Sequence, residues 1–262
     1  MTQRIPFRGL FAAVLITLLA GCQAGTNQPV QSAPPTVAPP PAPSQLDLNH
    51  PLAFGSKDGR PVVTICSERI VEIPFVHHYL PHSFRGRLLD VGYRESEIVF
   101  EASSLGFETW GIDIRPPAVE FPGIHYVQGD VTQYAFEPQS FDVVIGLSTF
   151  EHIGLVAYGN VAKDRDGDLH AVQAVHRLLK PGGRFLLTVP FGQHGATDWY
   201  RVYDHAALLA LLKGGGLRLE VERFWTKKET MQWVPTPWKE AQAVDSVSSV
   251  KGVACVVARP LP

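Results

Sequence analysis

The segment Leu88-Leu89-Asp90-Val91-Gly92-Tyr93-Arg94-Glu95-Ser96 reads as a buried strand that ends on a single glycine and turns into a helix. A turn that wraps a dinucleotide pyrophosphate needs G-x-G-x-x-G, so that backbone can approach the phosphates closely. Arg94 and Glu97 stand where the second and third of those glycines would be. The turn therefore disfavours NAD or FAD while keeping the strand–turn–helix geometry of an open α/β sheet.

Outward from this turn, apolar runs of strand length alternate with amphipathic runs of helical period. Strands are expected at Arg87–Gly92, Glu108–Ile114, Ile124–Gly129, Phe141–Leu147 and Arg184–Pro190, with later ones near Leu217–Phe224 and Gly252–Ala258. Within Leu169–Lys180 the residues Leu169, Val172, Val175, Leu178 and Leu179 recur at three-and-four spacing. That spacing predicts a helix, with Asp168 capping its first turn and Pro181-Gly182-Gly183 ending it. A second helix is expected over Asp204–Lys213. The alternation is that of an α/β fold with a mainly parallel sheet, and residues 47–262 hold no fixed repeat or proline-rich break, so they read as one domain.

Gly92, Asp113, Asp130 and Glu151 each fall at or just past the C-terminal end of a successive strand. In open α/β sheets that edge is where ligands bind. Each residue alone has an ordinary reading as a turn or cap; four from four strands make a candidate site. Asp113 can accept hydrogen bonds from ribose hydroxyls, and a ribose without a pyrophosphate cradle suggests an adenosyl ligand.

From about residue 65 to the C-terminus the chain resembles the class I S-adenosylmethionine-dependent methyltransferases. The resemblance rests on Leu-Leu-Asp-Val-Gly (88–92), Gly-Ile-Asp-Ile-Arg (111–115), Gln-Gly-Asp-Val (128–131), Ser-Thr-Phe-Glu-His-Ile-Gly-Leu (148–155), Asp-Gly-Asp (166–168) and Leu-Leu-Lys-Pro-Gly-Gly-Arg-Phe-Leu-Leu-Thr-Val-Pro (178–190), in that order. It implies a Rossmann-like, mainly parallel seven-stranded sheet with helices on both faces and the last strand antiparallel. It also implies S-adenosyl-L-methionine as cofactor, with Asp90 and Gly92 beside the methionine moiety, Asp113 on the ribose, Asp130 and Val131 on the adenine, and Ser148 on the pocket floor. The sequence departs from the family at Arg94 and Ser96, where glycine is usual. Arg94 is then expected to pair with the methionine carboxylate.

Methyl transfer from a sulfonium asks the protein for positioning, exclusion of water and, for a hydroxyl acceptor, a base. His152 is the first candidate base, with Glu151 beside it; His194, in the loop after the fifth strand, is the second. Tyr200, Arg201 and Tyr203 form a polar aromatic cluster placed to border the acceptor. Two look-alikes drop out. Asp164-x-Asp166-x-Asp168 has Leu169 where a calcium loop needs glycine and Val175 where it needs a bidentate glutamate. Gly146-Leu147-Ser148-Thr149-Phe150 lacks the second glycine of a nucleophile elbow. The histidines show no H-E-x-x-H spacing and the cysteines no C-x-x-C pair, so no metal is expected.

The chain has 262 residues, 45% apolar and 18% charged, which suits a globular protein rather than a disordered one. A net charge of −2 gives no broad positive field for nucleic acid. Cys22, Cys66 and Cys255 are too few for a disulfide scaffold, and the latter two read as buried thiols or as one disulfide. Arg4, Arg8, the apolar run Leu10–Ala20 and Gly21-Cys22 have the three-part form of a secretory signal over residues 1–21. As a helix that run rises about 16 Å, short of the roughly 30 Å hydrocarbon core of a bilayer. Leu19-Ala20-Gly21-Cys22 resembles a bacterial lipobox, which implies cleavage before a lipidated Cys22, and Gln23 resembles sorting to the outer membrane. Residues 22–46 contain seven prolines and read as an extended tether of about 70 Å. The expectation is a membrane-anchored lipoprotein facing the cell envelope or periplasm and acting on a small molecule, glycan or envelope component. Export separates the domain from cofactor made in the cytoplasm. The alternative expectations are therefore a catalytically inactive, membrane-anchored binding module of methyltransferase-like fold, or an enzyme retained in the cytoplasm because the signal is not used.

Overall fold

Alternate residues of the central strands go to opposite cores, and this sorts the chain into layers. Val143, Ile145 and Leu147 join one apolar cluster while Val144 joins the other; Val253, Cys255 and Val257 part from Ala254, Val256 and Ala258 in the same way. Side chains of a strand point alternately to its two faces, so strands apolar at every position must be covered on both.

The computed structural model describes residues 48–81, 85–160 and 163–261. The expected signal over 1–21, Cys22 and the tether over 22–46 lie outside them. In chain order the elements are β1 (Leu52–Lys57), β2 (Arg60–Cys66), α1 (Arg69–Tyr79), β3 (Arg87–Val91), α2 (Ile98–Ser104), β4 (Glu108–Asp113), β5 (Ile124–Gln128), β6 (Phe141–Leu147), α3 (Gly167–Leu178), β7 (Leu179–Pro190), β8 (Gly195–Ala196), β9 (Arg201–Val202), α4 (His205–Gly214), β10 (Leu217–Lys227), β11 (Trp233–Pro235), α5 (Trp238–Ala241) and β12 (Gly252–Pro260).

The main sheet has the order β11-β10-β12-β7-β6-β3-β4-β5. The five strands from β7 to β5 run parallel, and β12 is antiparallel to both β7 and β10. This is the expected seven-stranded Rossmann-like sheet with its last strand antiparallel, extended by the short edge strand β11. Phe75 and Val76 of α1 with Ile98 and Ala102 of α2 fill one face; Val172 and Val175 of α3 with Leu208 and Leu212 of α4 fill the other.

The expected caps of the helix before β7 are revised. Asp168 lies inside α3, buried, and accepts a 2.7 Å hydrogen bond from the Tyr203 hydroxyl. The helix ends at Leu178, and Leu179 is already extended. Pro181-Gly182-Gly183 instead belongs to an excursion within β7, where the pairing jumps from Phe141↔Leu179 to Val143↔Arg184. Proline holds the residue before it extended, so the helix stops ahead of it. Asp204 does cap α4, accepting from the Ala207 N–H at 2.7 Å. Cys66 and Cys255 are both free thiols. Among the described residues no helix is long and apolar enough to cross a membrane.

Gly146 of β6 is required by packing. A Cβ there would lie 2.3 Å from the ring of Phe150, which is fully buried. Gly146→Ala is expected to cost about 1–3 kcal/mol through overpacking, read as a lowered midpoint in urea unfolding with an unchanged slope.

Candidate active site

The turn after β3 is set by Gly92, whose φ of 78° lies in the left-handed region that favours glycine. Its N–H donates to the Ile112 carbonyl at 2.8 Å, and a Cβ on it would meet Thr149 at 2.4 Å. The ends of β3, β4, β5 and β6 thereby close on a cavity of about 790 Å³, counting its open mouth. Gly92, Asp113, Asp130, Val131, Ser148 and His152 line it.

Asp113, 6% exposed, carries a partner that the sequence did not announce. Arg115 donates from Nε to Oδ1 at 3.1 Å and from Nη2 to Oδ2 at 3.2 Å, and its backbone N–H also reaches Oδ1 at 2.9 Å. A carboxylate offers about four lone-pair sites. Three are taken here, so this state has room for one further hydroxyl rather than the two of a ribose. Arg115 also pairs with Glu95 at 2.6 Å and lies over the ring of Tyr158 at 4.4 Å. Asp130 does double duty: it lines the cavity, and its Oδ1 accepts from the Thr132 N–H and hydroxyl, both at 2.8 Å, which fixes the turn after β5.

The floor is built from α1 and the loop after β6. Arg69 donates to Glu72 at 2.8 Å, and Ser148 donates to the other oxygen of Glu72 at 2.6 Å. Ser148 has φ 45°, a strained value for a residue with a Cβ. Asp90, on the strand face that Leu88 shares, is buried, and among the described residues neither carboxylate oxygen has a hydrogen-bond partner. Burial pushes its carboxyl up to about 8. Burial also raises the Glu151 carboxyl well above the usual carboxylate range, and its Oε2 has no partner among the described residues. His152 sits 3.8 Å from Glu151 through Nε2, and its Nδ1 lies 2.6 Å from the Trp199 carbonyl. A carbonyl only accepts, so Nδ1 carries the proton and Nε2 keeps its lone pair. Burial lowers the imidazole below its ordinary value.

The expected residues thus divide. Gly92, Asp113, Asp130, Val131, Ser148 and His152 come together, with Asp90 and Glu151 buried nearby rather than on the wall. Arg94 does not line the cavity, and its buried Nε has no partner among the described residues. His194 is exposed and off the cavity wall. Tyr200, Arg201 and Tyr203 serve the loops instead. The Tyr200 hydroxyl meets the carbonyls of Ser246 and Val247, Arg201 donates to those of Ile153 and Arg165, and Tyr203 holds Asp168. Arg69, Glu72, Arg115 and Tyr158 were missed. Arg69 and Glu72 had a signal: they fall on the same buried stripe of α1 as Phe75 and Val76, where charge is rare without a partner. Among the described residues no cluster of His, Cys, Asp and Glu could hold a metal ion.

Comparison with known proteins agrees with this architecture. Residues 89–187, under half of the chain, match the family model described as a methyltransferase domain. Over 85 residues the chain is 35% identical to the mitochondrial 2-methoxy-6-polyprenyl-1,4-benzoquinol methylase of Mus musculus, which takes in 31% of this chain and 21% of that enzyme. The chain therefore spans about a fifth of that relative's length. The 1,6-didemethyltoxoflavin-N1-methyltransferase of Burkholderia thailandensis, solved with 1,6-didemethyltoxoflavin and S-adenosylhomocysteine bound, superposes with a TM-score of 0.52 at 17% identity, over 74% of this chain and 80% of that one. An S-adenosylmethionine-dependent methyltransferase of Methanosarcina mazei gives 0.50 at 16% identity, over 72% and 97%. The fold is the Rossmann-like methyltransferase fold, and residues 89–187 are the stretch that carries the family's pattern.

Proposed function

We propose that this chain is an S-adenosyl-L-methionine-dependent methyltransferase whose cavity at the ends of β3 to β6 takes the cofactor. One observation carries the reading: Gly92, Asp113, Asp130 and Ser148, from the ends of four successive strands, meet on one cavity. The residues present fit the group. Asp113 offers an acceptor to the ribose, Val131 and Ile114 give an apolar wall for the adenine, and the two unpartnered oxygens of buried Asp90 suit the ammonium of the amino-acid end. Bound there, S-adenosylmethionine supplies a methyl group already activated by its sulfonium.

The chain's own share is positioning and proton removal. The Trp199 carbonyl orients His152 so that Nε2 is the basic nitrogen, and burial keeps that nitrogen unprotonated at neutral pH. Nε2 then takes the proton of a hydroxyl acceptor, drawn from small molecules, sugars or components of the cell envelope. Burial raises the neighbouring Glu151 carboxyl well above the usual carboxylate range, which disfavours a competing anion beside the ring.

The N-terminus adds a location. Residues 1–21 act as a lipoprotein signal, Cys22 is lipidated, and the proline-rich segment 22–46 tethers the domain to the membrane; the support is the sequence pattern Leu19-Ala20-Gly21-Cys22 and the seven prolines that follow.

Calorimetric titration of the full chain with S-adenosylhomocysteine should give heat, and Asp113→Ala should weaken binding about 10- to 100-fold, as expected for loss of a charged acceptor; wild-type protein that takes up no ligand refutes the cofactor reading. An NMR titration of the imidazoles, with His152→Gln for assignment, should place His152 below 6.5. Because the folded state binds that proton less readily than the unfolded state, stability falls as pH drops from 6.5 toward the folded value, and His152→Gln should lose less of it. Blocking lipoprotein signal processing in a bacterial host with a globomycin-type inhibitor should leave a larger precursor; an unchanged mature size removes the anchor.

A further inference from the structure

The helix α1 lies ahead of the segment that the methyltransferase family model covers, yet it sends a charge to the cavity. Arg69, in its first turn, is 5% exposed and lines the cavity with Gly92, Ser148, Thr149 and His152. Among the described residues its one hydrogen bond is from Nη1 to Glu72, and its buried Nε has no partner. Glu72 takes only this one donor from Arg69, and its other oxygen holds the Ser148 hydroxyl. A guanidinium has five N–H donors and is charged at every accessible pH, so leaving most of them unsatisfied in a buried site is costly unless a ligand completes them. The other carboxyls nearest the floor, Asp90 and Glu151, also have unpartnered oxygens. One under-satisfied cation beside under-satisfied acids is complementary to an α-amino acid, which carries both a carboxylate and an ammonium.

We propose that Arg69 is the receptor for the carboxylate at the amino-acid end of the cofactor, the role that the sequence alone assigned to Arg94. The inference rests on the cofactor reading above and adds to it a selectivity: the cavity discriminates against adenosyl thioethers that lack the amino-acid group. A planar guanidinium can take a carboxylate by two parallel N–H···O bonds, which gives direction as well as strength.

The test compares two ligands on the full chain: S-adenosylhomocysteine, and 5′-methylthioadenosine, which keeps the nucleoside and sulfur but has no carboxylate. Removing Arg69 alone strands Glu72 as a buried unpaired charge, so the variants are Arg69→Gln combined with Glu72→Gln, and Arg69→Lys, each checked for folding by thermal unfolding. The double variant should bind S-adenosylhomocysteine about 10- to 100-fold more weakly and methylthioadenosine within about twofold of wild type, with Arg69→Lys between wild type and the double variant for S-adenosylhomocysteine alone. Equal losses for both ligands, or no loss for S-adenosylhomocysteine, overturn the proposal, as does wild-type protein that binds the two equally tightly; that last result leaves the nucleoside reading standing. Wild-type protein that binds neither ligand overturns the cofactor reading and this inference together.

Discussion

Between β3 and β6 the winding of the chain reverses. β3 is followed in space by β4 and β5 on one side, while β6 and β7 build out on the other. Connections that leave in opposite directions cannot cover the gap between them, so a crevice opens at the C-terminal ends of those two strands. Both faces of the sheet are sealed by helices. The crevice is therefore where this architecture lets polar side chains meet a ligand, and every wall residue discussed above comes from it or from the elements that border it.

That constraint explains what was legible in the sequence. Strands buried on both faces read as apolar runs, so β3 to β6 were found to within a residue at each end. Gly92, Asp113, Asp130 and Ser148 were placed because a strand's end can be read from where its apolar run stops. The β1–β2 hairpin was not read, although Asp58-Gly59, both at positive φ, is the turn signal that joins it. β11 has three residues and no pattern of its own. Side-chain direction was the harder limit. Arg94 and Arg115 stand equally close to the crevice along the chain, each two residues past a strand-end residue, but only Arg115 lines the cavity. Arg69 could not be connected to the crevice at all, since nothing local says that α1 packs under the end of β6.

The site also runs against the stability of the fold. Asp90 and Glu151 are buried without full hydrogen bonding, and Ser148 holds a left-handed backbone. Each is a cost that a core built only for stability would shed. Their concentration at one edge of the sheet, while the apolar clusters elsewhere are regular, separates the part of the molecule that packs from the part that acts.

The Arg115–Asp113 pair has a last implication. A first hydroxyl that comes to Asp113 finds one acceptor site open, and a second displaces a guanidinium N–H from one oxygen. The displaced group keeps Glu95 and the face of Tyr158 within reach, so it is not stranded. Entry at this point is a change of partners at nearly constant local charge, and its free energy is a small difference between two good contacts.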